Sequence, residues 1–338
     1  MAVTGTGTEQ DPFVVHSYDE FMTLNGHAPI GSTGAVYIKW FDTPGQILNC
    51  NDYGSEFKWG SFGAVAGYGA YTIYVDLNGA TIKNLIVADG ATMFVGASWG
   101  GNAMNVCVQN GSIRNVFMGS STSKICGINV IFKDVSMSAN VAGSTVIPFH
   151  SDWSGLITID NCAIYLVAST LTAPLFCQGR ITDTDFELHI GNQNSQPIFV
   201  GDNNAIEPWT TLKDCRIQGK ISGKGMSTGL NADTCVLDYC GLNSKSLWFT
   251  NCVIDLDLTD SRIVNYGYDG SRYDVFLNYN GTNFNTNVIC KSHRPNDPDH
   301  EAYYGYQSDL NFMTHEQIRD GDYLNDHGFT VVEVNTGG

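Results

Sequence analysis

The sequence predicts an all-β chain wound as a single elongated right-handed, single-stranded parallel β-helix, a solenoid with a short helical cap at each end. Three observations predict it. One polar-interrupted strand motif recurs seven times, the composition favours short strands joined by frequent turns, and each end carries a helix-start signature suited to closing a repeat stack.

The motif runs apolar, any, Asn or Asp, mostly apolar, any, apolar, with centres at Asn84, Asn115, Asp134, Asn161, Asp183, Asp214 and Asn251. Examples are Ile82-Lys83-Asn84-Leu85-Ile86-Val87 and Phe249-Thr250-Asn251-Cys252-Val253-Ile254. Inward positions of a strand recur every two residues, yet the apolar residues here fall at positions one, four and six. The phase therefore slips at the Asn or Asp. Outside glycine these types best tolerate a left-handed backbone, so the slip reads as a tight bend between two strands. The centres are 31, 19, 27, 22, 31 and 37 residues apart, which suits coils with loops of varying size and not helical repeats of constant length. All seven are expected at one corner of the stack, with Cys162, Cys215 and Cys252 sharing one interior column as buried thiols.

Composition points the same way. Hydrophobic residues make up 43% and charged residues 15% of 338, enough to fill a core along nearly the whole chain. The 37 glycines and nine prolines favour turns. A formal charge of −17, with 17 scattered Lys and Arg, opposes nucleic-acid binding and attachment to anionic membranes. No apolar run reaches membrane-spanning length, and Met1-Ala2-Val3-Thr4-Gly5 lacks the basic head and apolar stretch of a secretory leader. Membrane insertion is not expected. Ten cysteines without a C-x-x-C pair suggest neither a small disulfide scaffold nor a zinc or redox site.

The sequence divides into an N-terminal cap at residues 1–30, the β-helix at 31–265 (clearest at 76–265), a Tyr-, Asn- and Asp-rich lateral loop or hairpin region at 266–306, and a C-terminal cap at 307–338. In the first cap, Ser17-Tyr18-Asp19-Glu20 is a capping box that opens a short helix with Phe21, Met22 and Leu24 on its apolar face. In the last, Thr314-His315-Glu316-Gln317 repeats the box, Ile318, Tyr323 and Leu324 form the stripe, and Gly328 precedes a strand at Phe329–Val334.

Over residues 76–265 the pattern resembles the pectate-lyase-like β-helix superfamily, in which an Asn-bearing bend stacks into a ladder. The opening segment Gly5-Thr6-Gly7-Thr8-Glu9-Gln10-Asp11-Pro12-Phe13-Val14-Val15 resembles that of many β-helical surface and phage-associated proteins of bacteria. The resemblance implies a surface protein and, since phage proteins of this architecture commonly pack three faces about an axis, a homotrimer.

No catalytic signature accompanies the fold. The Asn-Thr-Asp, adjacent Asp pair, Gly-His-Gly and Arg-Ile-Lys of polygalacturonase-type β-helix hydrolases are missing, as are G-x-S-x-G, H-E-x-x-H and phosphate-loop motifs. Aligning the last three copies on their bends puts Asp185 beside Arg216, Glu187 beside Gln218 and then Asp255, and His189 beside Lys220 and then Asp257. Glu187 and Asp255, two coils or roughly 9.6 Å apart at ~4.8 Å per strand, are the candidate acid and base of an inverting glycosidase. The structural reading, a solvated face with cross-strand charge pairs, is preferred, because carboxylates are common on the surface of an acidic chain. Asp297, Asp299 and His300, within His293–Glu301, are candidate metal ligands, although Pro295 and Pro298 hold the segment extended and the spacing matches no known loop. Trp153, Tyr303, Tyr304 and Tyr306 offer rings for sugar stacking or an interface. Ala163, Tyr165 and Val167 occupy outward positions where other copies carry charge, which makes them the candidate subunit contact.

The expected function is a non-enzymatic structural protein of a bacteriophage surface (head decoration, fibre or spike), without cofactor or metal, with itself and other virion proteins as partners. The alternative is a glycan-binding or glycan-degrading β-helix protein, a tailspike depolymerase or an adhesin of the bacterial cell surface acting on cell-surface glycan.

Overall fold

The computed structural model describes residues 3–29, 34–67, 69–146, 156–171, 176–177, 179–192, 199–200, 210–221, 227–228, 230–233, 236–238, 247–250, 253–256, 289–292 and 320–326. The chain is mainly β, with strands paired in parallel and very little helix, and it packs as two compact units divided between Ala163 and Ile164.

In the first unit alternation decides which side chains go inward. Along Gly34–Trp40, Val36, Ile38 and Trp40 are buried while Tyr37 and Lys39 face out, and Tyr71–Asp76 repeats the pattern with Tyr71, Ile73 and Val75 buried. Each such fully buried side chain contributes about 1.5–3 kcal/mol. One parallel ladder joins Phe13–Val15, Gly34–Trp40, Tyr71–Asp76, the first half of Asn102–Met118, the first half of Val130–Val146 and Ile157–Asp160. A second joins Ile47–Asn49, Thr81–Val87 and the later halves of the two long strands. A third joins Phe62–Gly63, Thr92–Val95 and Lys124–Cys126. From Gly34 to Cys126 the chain visits the three in the same order each time. One antiparallel hairpin departs from this scheme: Ala97–Trp99 folds onto Asn102–Met118 through Gly100 and Gly101, whose φ of 57° and 82° suit a tight two-residue turn.

The bends are left-handed residues. Asn84, Asn115, Asp134, Asn161, Asp183 and Asp214 have φ between 47° and 59°; Asn251 lies outside the described residues. They do not form one column, however. Register sets Asp134 beside Asn110, since Lys133 pairs with Gln109 and Val135 with Gly111, and sets Asn161 beside Asp134. Asn84 and Asn115 stand in a second column that starts at Asn49: Asn84 Nδ2 donates to Asn49 Oδ1 at 2.9 Å and Asn115 Nδ2 to Asn84 Oδ1 at 3.2 Å. The expected single corner is thus corrected to two in this unit, because both turns use the same bend chemistry. The first column also contains Asn78 (φ 53°) and Phe41 (φ 58°), with Asn78 Nδ2 donating to the Phe41 carbonyl at 3.0 Å. Replacing Asn115 by Ala should cost about 1–2 kcal/mol in urea unfolding from the left-handed backbone alone, and Asn115→Gly appreciably less.

The N-terminal cap closes exposed strand edges. Ser17 Oγ accepts the Glu20 amide at 3.2 Å, and Glu20 Oε2 reaches back to the His16 amide at 2.8 Å, starting the helix Tyr18–Thr23. The helix lays Phe21, fully buried, on Phe62 with ring centroids 4.0 Å apart, against Trp40 and Trp59. Leu24 is buried and Met22 half-buried. Asn25 then imitates a strand: its Oδ1 accepts the Gly63 amide at 2.9 Å and its Nδ2 donates to the Ser61 carbonyl at 3.0 Å. Thr4 covers the edge of Phe13–Val15, accepting the Val14 amide at 2.9 Å. Covering an edge in this way prevents it from templating another strand.

The second unit carries the same kinds of ladder. Gly179–Thr182, Thr210–Lys213, Leu230–Asp233 and Leu247–Thr250 form one. Asp185–Asn192, Arg216–Ile221, Val236–Asp238, Val253–Leu256 and Ile289–Ser292 form another. Ile289–Ser292, within the region expected to be a lateral loop or hairpin, pairs in parallel with Val253–Leu256. Near the C-terminus a helix spans Gly321–Asp326, capped by Asp320 Oδ1, which accepts the amides of Asp322 and Tyr323 at 3.0 and 3.1 Å; Tyr323 is half-buried. The box at Thr314, Ile318, the side chain of Leu324, Gly328 and the strand at Phe329–Val334 lie outside the described residues.

Among the described residues Cys50, Cys107, Cys126, Cys162 and Cys215 are buried thiols that form no disulfide. Burial pushes the Cys50 and Cys162 thiols up to about 12 and that of Cys107 to about 11, and raises Cys126 as well. The thiolate is the reactive form, so these four should resist iodoacetamide at pH 8 in the native protein and label readily in urea, as read by mass spectrometry.

Candidate functional site

The outward side of the strands Asp185–Asn192 and Arg216–Ile221 is where titratable side chains gather. Strand alternation sends Phe186, Leu188 and Ile190 into the core, where all three are buried, and turns Asp185, Glu187 and His189 the other way. Register pairs Asp185 with Arg216, Glu187 with Gln218 and His189 with Lys220.

These positions differ sharply in exposure. Asp185 Oδ2 accepts from Arg216 Nη2 at 2.6 Å, with the two side chains only 1% and 9% exposed. The solvated face expected here is corrected at this pair, which is an ion pair held away from water. Glu187 and His189 lie further along the strand and remain partly open, with Glu187 Oε1 2.8 Å from His189 Nε2. The His189 ring meets Tyr165, centroids 5.6 Å apart.

The positions of the candidate acid and base are three strands apart, and not the two expected. The strand Val236–Asp238 lies between the two carriers, so that Glu187 stands beside Gln218, Gln218 beside Asp238 and Asp238 beside Asp255. Three strand steps at ~4.8 Å give roughly 14 Å, beyond the ~6.5–9.5 Å that an inverting pair spans. The sequence motif missed this strand because Thr234 stands where the other copies carry Asn or Asp.

Of the candidate subunit contact, Ala163 is 5% exposed and so offers little surface to another chain, while Tyr165 and Val167 are half-buried. Ile164, Leu166 and Ala168 between them are buried. Asp297, Asp299 and His300 lie outside the described residues, as do Trp153, Tyr303, Tyr304 and Tyr306. Among the described residues no three His, Cys, Asp or Glu side chains converge as a metal site, and no helix is long and apolar enough to cross a membrane. Trp99, at the tip of the antiparallel hairpin and 62% exposed, was not legible as special; its Gly-Gly turn was the available signal. Asn129 pins that hairpin, donating from Nδ2 to the Ala97 carbonyl and to Ser98 Oγ at 2.7 Å each.

No protein-family model matches the chain, and no curated protein matches it. Among solved structures it is similar to a protein of Bacteroides ovatus described as a "putative immunoglobulin A1 protease", at 12% identity and a TM-score of 0.40, over 75% of this chain and 79% of that one.

Proposed function

We propose that this chain is a right-handed, single-stranded parallel β-helix that serves as a non-enzymatic structural subunit on the surface of a bacteriophage particle, as a head-decoration, fibre or spike component, and that it assembles as a homotrimer. The winding is supported by the fixed order in which the first unit visits its three parallel ladders, since parallel crossovers are right-handed almost without exception. The non-enzymatic part is carried by one observation, the three-strand separation of Glu187 from Asp255. The placement on a phage, the trimer and the contacts with other virion proteins rest on the resemblance of the opening segment.

The adhesive alternative draws on Trp99, whose exposed ring on a pinned hairpin offers a flat face for a sugar. Two experiments separate the readings. Acidic and neutral bacterial polysaccharides incubated with the purified chain should keep their size on gel filtration; depolymerisation abolished by Glu187→Gln would overturn the non-enzymatic role. Antibody to the chain should decorate intact phage particles in electron microscopy; labelling confined to bacterial cell surfaces would favour the adhesin.

A further inference from the structure

One outward face of the first unit has a charge order that is its own complement when reversed. Register places Lys39, Asp76, Gln109, Lys133 and Asp160 side by side on five consecutive strands. Their strand neighbours Ile38, Val75, Val108, Phe132 and Ile159 are buried, so this column points outward. The charges run positive, negative, neutral, positive, negative. Turned end for end, the order is negative, positive, neutral, negative, positive.

Two residues earlier on each strand runs a mostly apolar column of Tyr37, Tyr74, Cys107, Ile131 and Thr158, in which Cys107 is buried. Tyr37 and Tyr74 stack at 4.8 Å with their rings 9° from parallel. Ion pairs between described residues join His16 to Glu20 and Asp42, Lys58 to Asp89, Glu187 to His189 and Asp185 to Arg216. None of those involves Lys39, Asp76 or Lys133; Asp76 Oδ1 accepts the Asn78 amide at 2.7 Å and Asn110 Nδ2 at 3.3 Å.

We propose that this face binds a second copy of the chain about a two-fold axis that lies along the strand Asn102–Met118. A two-fold axis in the plane of the contact and parallel to the strands keeps each column against itself and reverses its order. Lys39 then meets Asp160 of the partner subunit, Asp76 meets Lys133 of the partner subunit, and Gln109 meets its own counterpart on the axis; in the next column Tyr74 meets Ile131 of the partner subunit. Such an isologous contact makes every pair twice. Stacking the two copies with their columns in the same order would oppose like charges at four of the five positions, so the sequence of charges selects the reversed arrangement. The column also sums to zero charge on a chain of formal charge −17, which makes it a face where two such chains approach with little repulsion.

Five strands at ~4.8 Å and five residues at ~3.3 Å give a face of roughly 400 Å² per copy. That is below the ~800 Å² per partner of a standard interface, so the dimer is weak, micromolar or looser, and sensitive to salt. This contact goes beyond the surface role proposed above and differs from three-fold packing.

The test is analytical ultracentrifugation of the full chain at tens to hundreds of micromolar in low salt. The wild type should show reversible two-fold pairing, monomer to dimer or trimer to hexamer, that 0.5 M NaCl reverses. Lys133→Glu and Asp76→Lys should each weaken it by about tenfold or more, and the double variant Asp76→Lys with Lys133→Asp should restore it. Gln109→Cys should form a disulfide-linked dimer under mild oxidation at a rate well above the wild type. A wild-type monomer with no such cross-link, or a dimer or trimer indifferent to Lys133→Glu, would overturn the two-fold contact. A trimer of the second kind would leave the proposed assembly standing.

Discussion

Replacing Arg216 with Met is expected to destabilise the second unit by about 3–5 kcal/mol, because it removes the guanidinium from a carboxylate held in a place that water does not reach. The pair is made at 2.6 Å between side chains that are 1% and 9% exposed, so solvent cannot take over the role of the guanidinium. A surface pair would be worth only about 0–1 kcal/mol, which makes the size of the loss diagnostic. Adding Asp185→Leu to Arg216→Met should recover much of it, as apolar replacements of buried ion pairs often do. Hydrogen exchange across Asp185–Asn192 and Arg216–Ile221, followed against urea, would report the change in the unit that contains it. A loss under about 1 kcal/mol would mean that the pair is solvated after all.

Phe21→Ala should cost about 3–5 kcal/mol, the usual range for removing a fully buried phenyl ring. Phe21 stacks on Phe62 and packs against Trp40 and Trp59, which are likewise buried. It is the main anchor of the helix Tyr18–Thr23, and the helix leads directly into Asn25, whose side chain covers the edge of Phe62–Gly63. The loss should therefore exceed that of a mid-ladder substitution in one further respect: the bared edge should promote association through strand pairing. Faster exchange at the Gly63 amide and concentration-dependent turbidity on heating would check it. A variant that unfolds at the wild-type urea concentration and stays clear would contradict the assigned role of the cap.

The mainly parallel β character and the bends were legible because Asn and Asp at a phase slip leave a local signature, and positive φ needs those side chains. Which bends stack on which was not legible. Asn84 and Asp134 read alike, yet pairing of the long strands separates them, and the short step of 19 residues from Asn115 to Asp134 is the mark of a change of column. Two left-handed Asn residues of the first unit's columns, Asn78 and Asn110, escaped because Gly79 and Gly111 follow them where the motif wants an apolar residue. Thr234 hid a strand step, and Asn285, in the apolar slot before Asn287, hid the copy that leads into Ile289–Ser292. In the candidate site, the lateral match of Asp185 with Arg216 followed from register alone. Its burial did not, since period-two alternation tells which way a side chain points and not what the chain lays over it. The Ser17 box was visible as a local pattern, whereas the edge-closing bonds of Asn25 join it to Ser61 and Gly63, contacts no local pattern encodes.

The proposed β-helix requires successive strands to wind as right-handed coils, each bend lying one strand spacing from the next in its column. A cryo-electron-microscopy reconstruction of the purified protein, at a resolution that separates strands, tests it most directly. Expected are rungs ~4.8 Å apart, three parallel ladders joined in constant order, and Asp183 adjacent to Asp214 as Thr182 is to Lys213. Strands paired mainly antiparallel, or a left-handed winding, would contradict it.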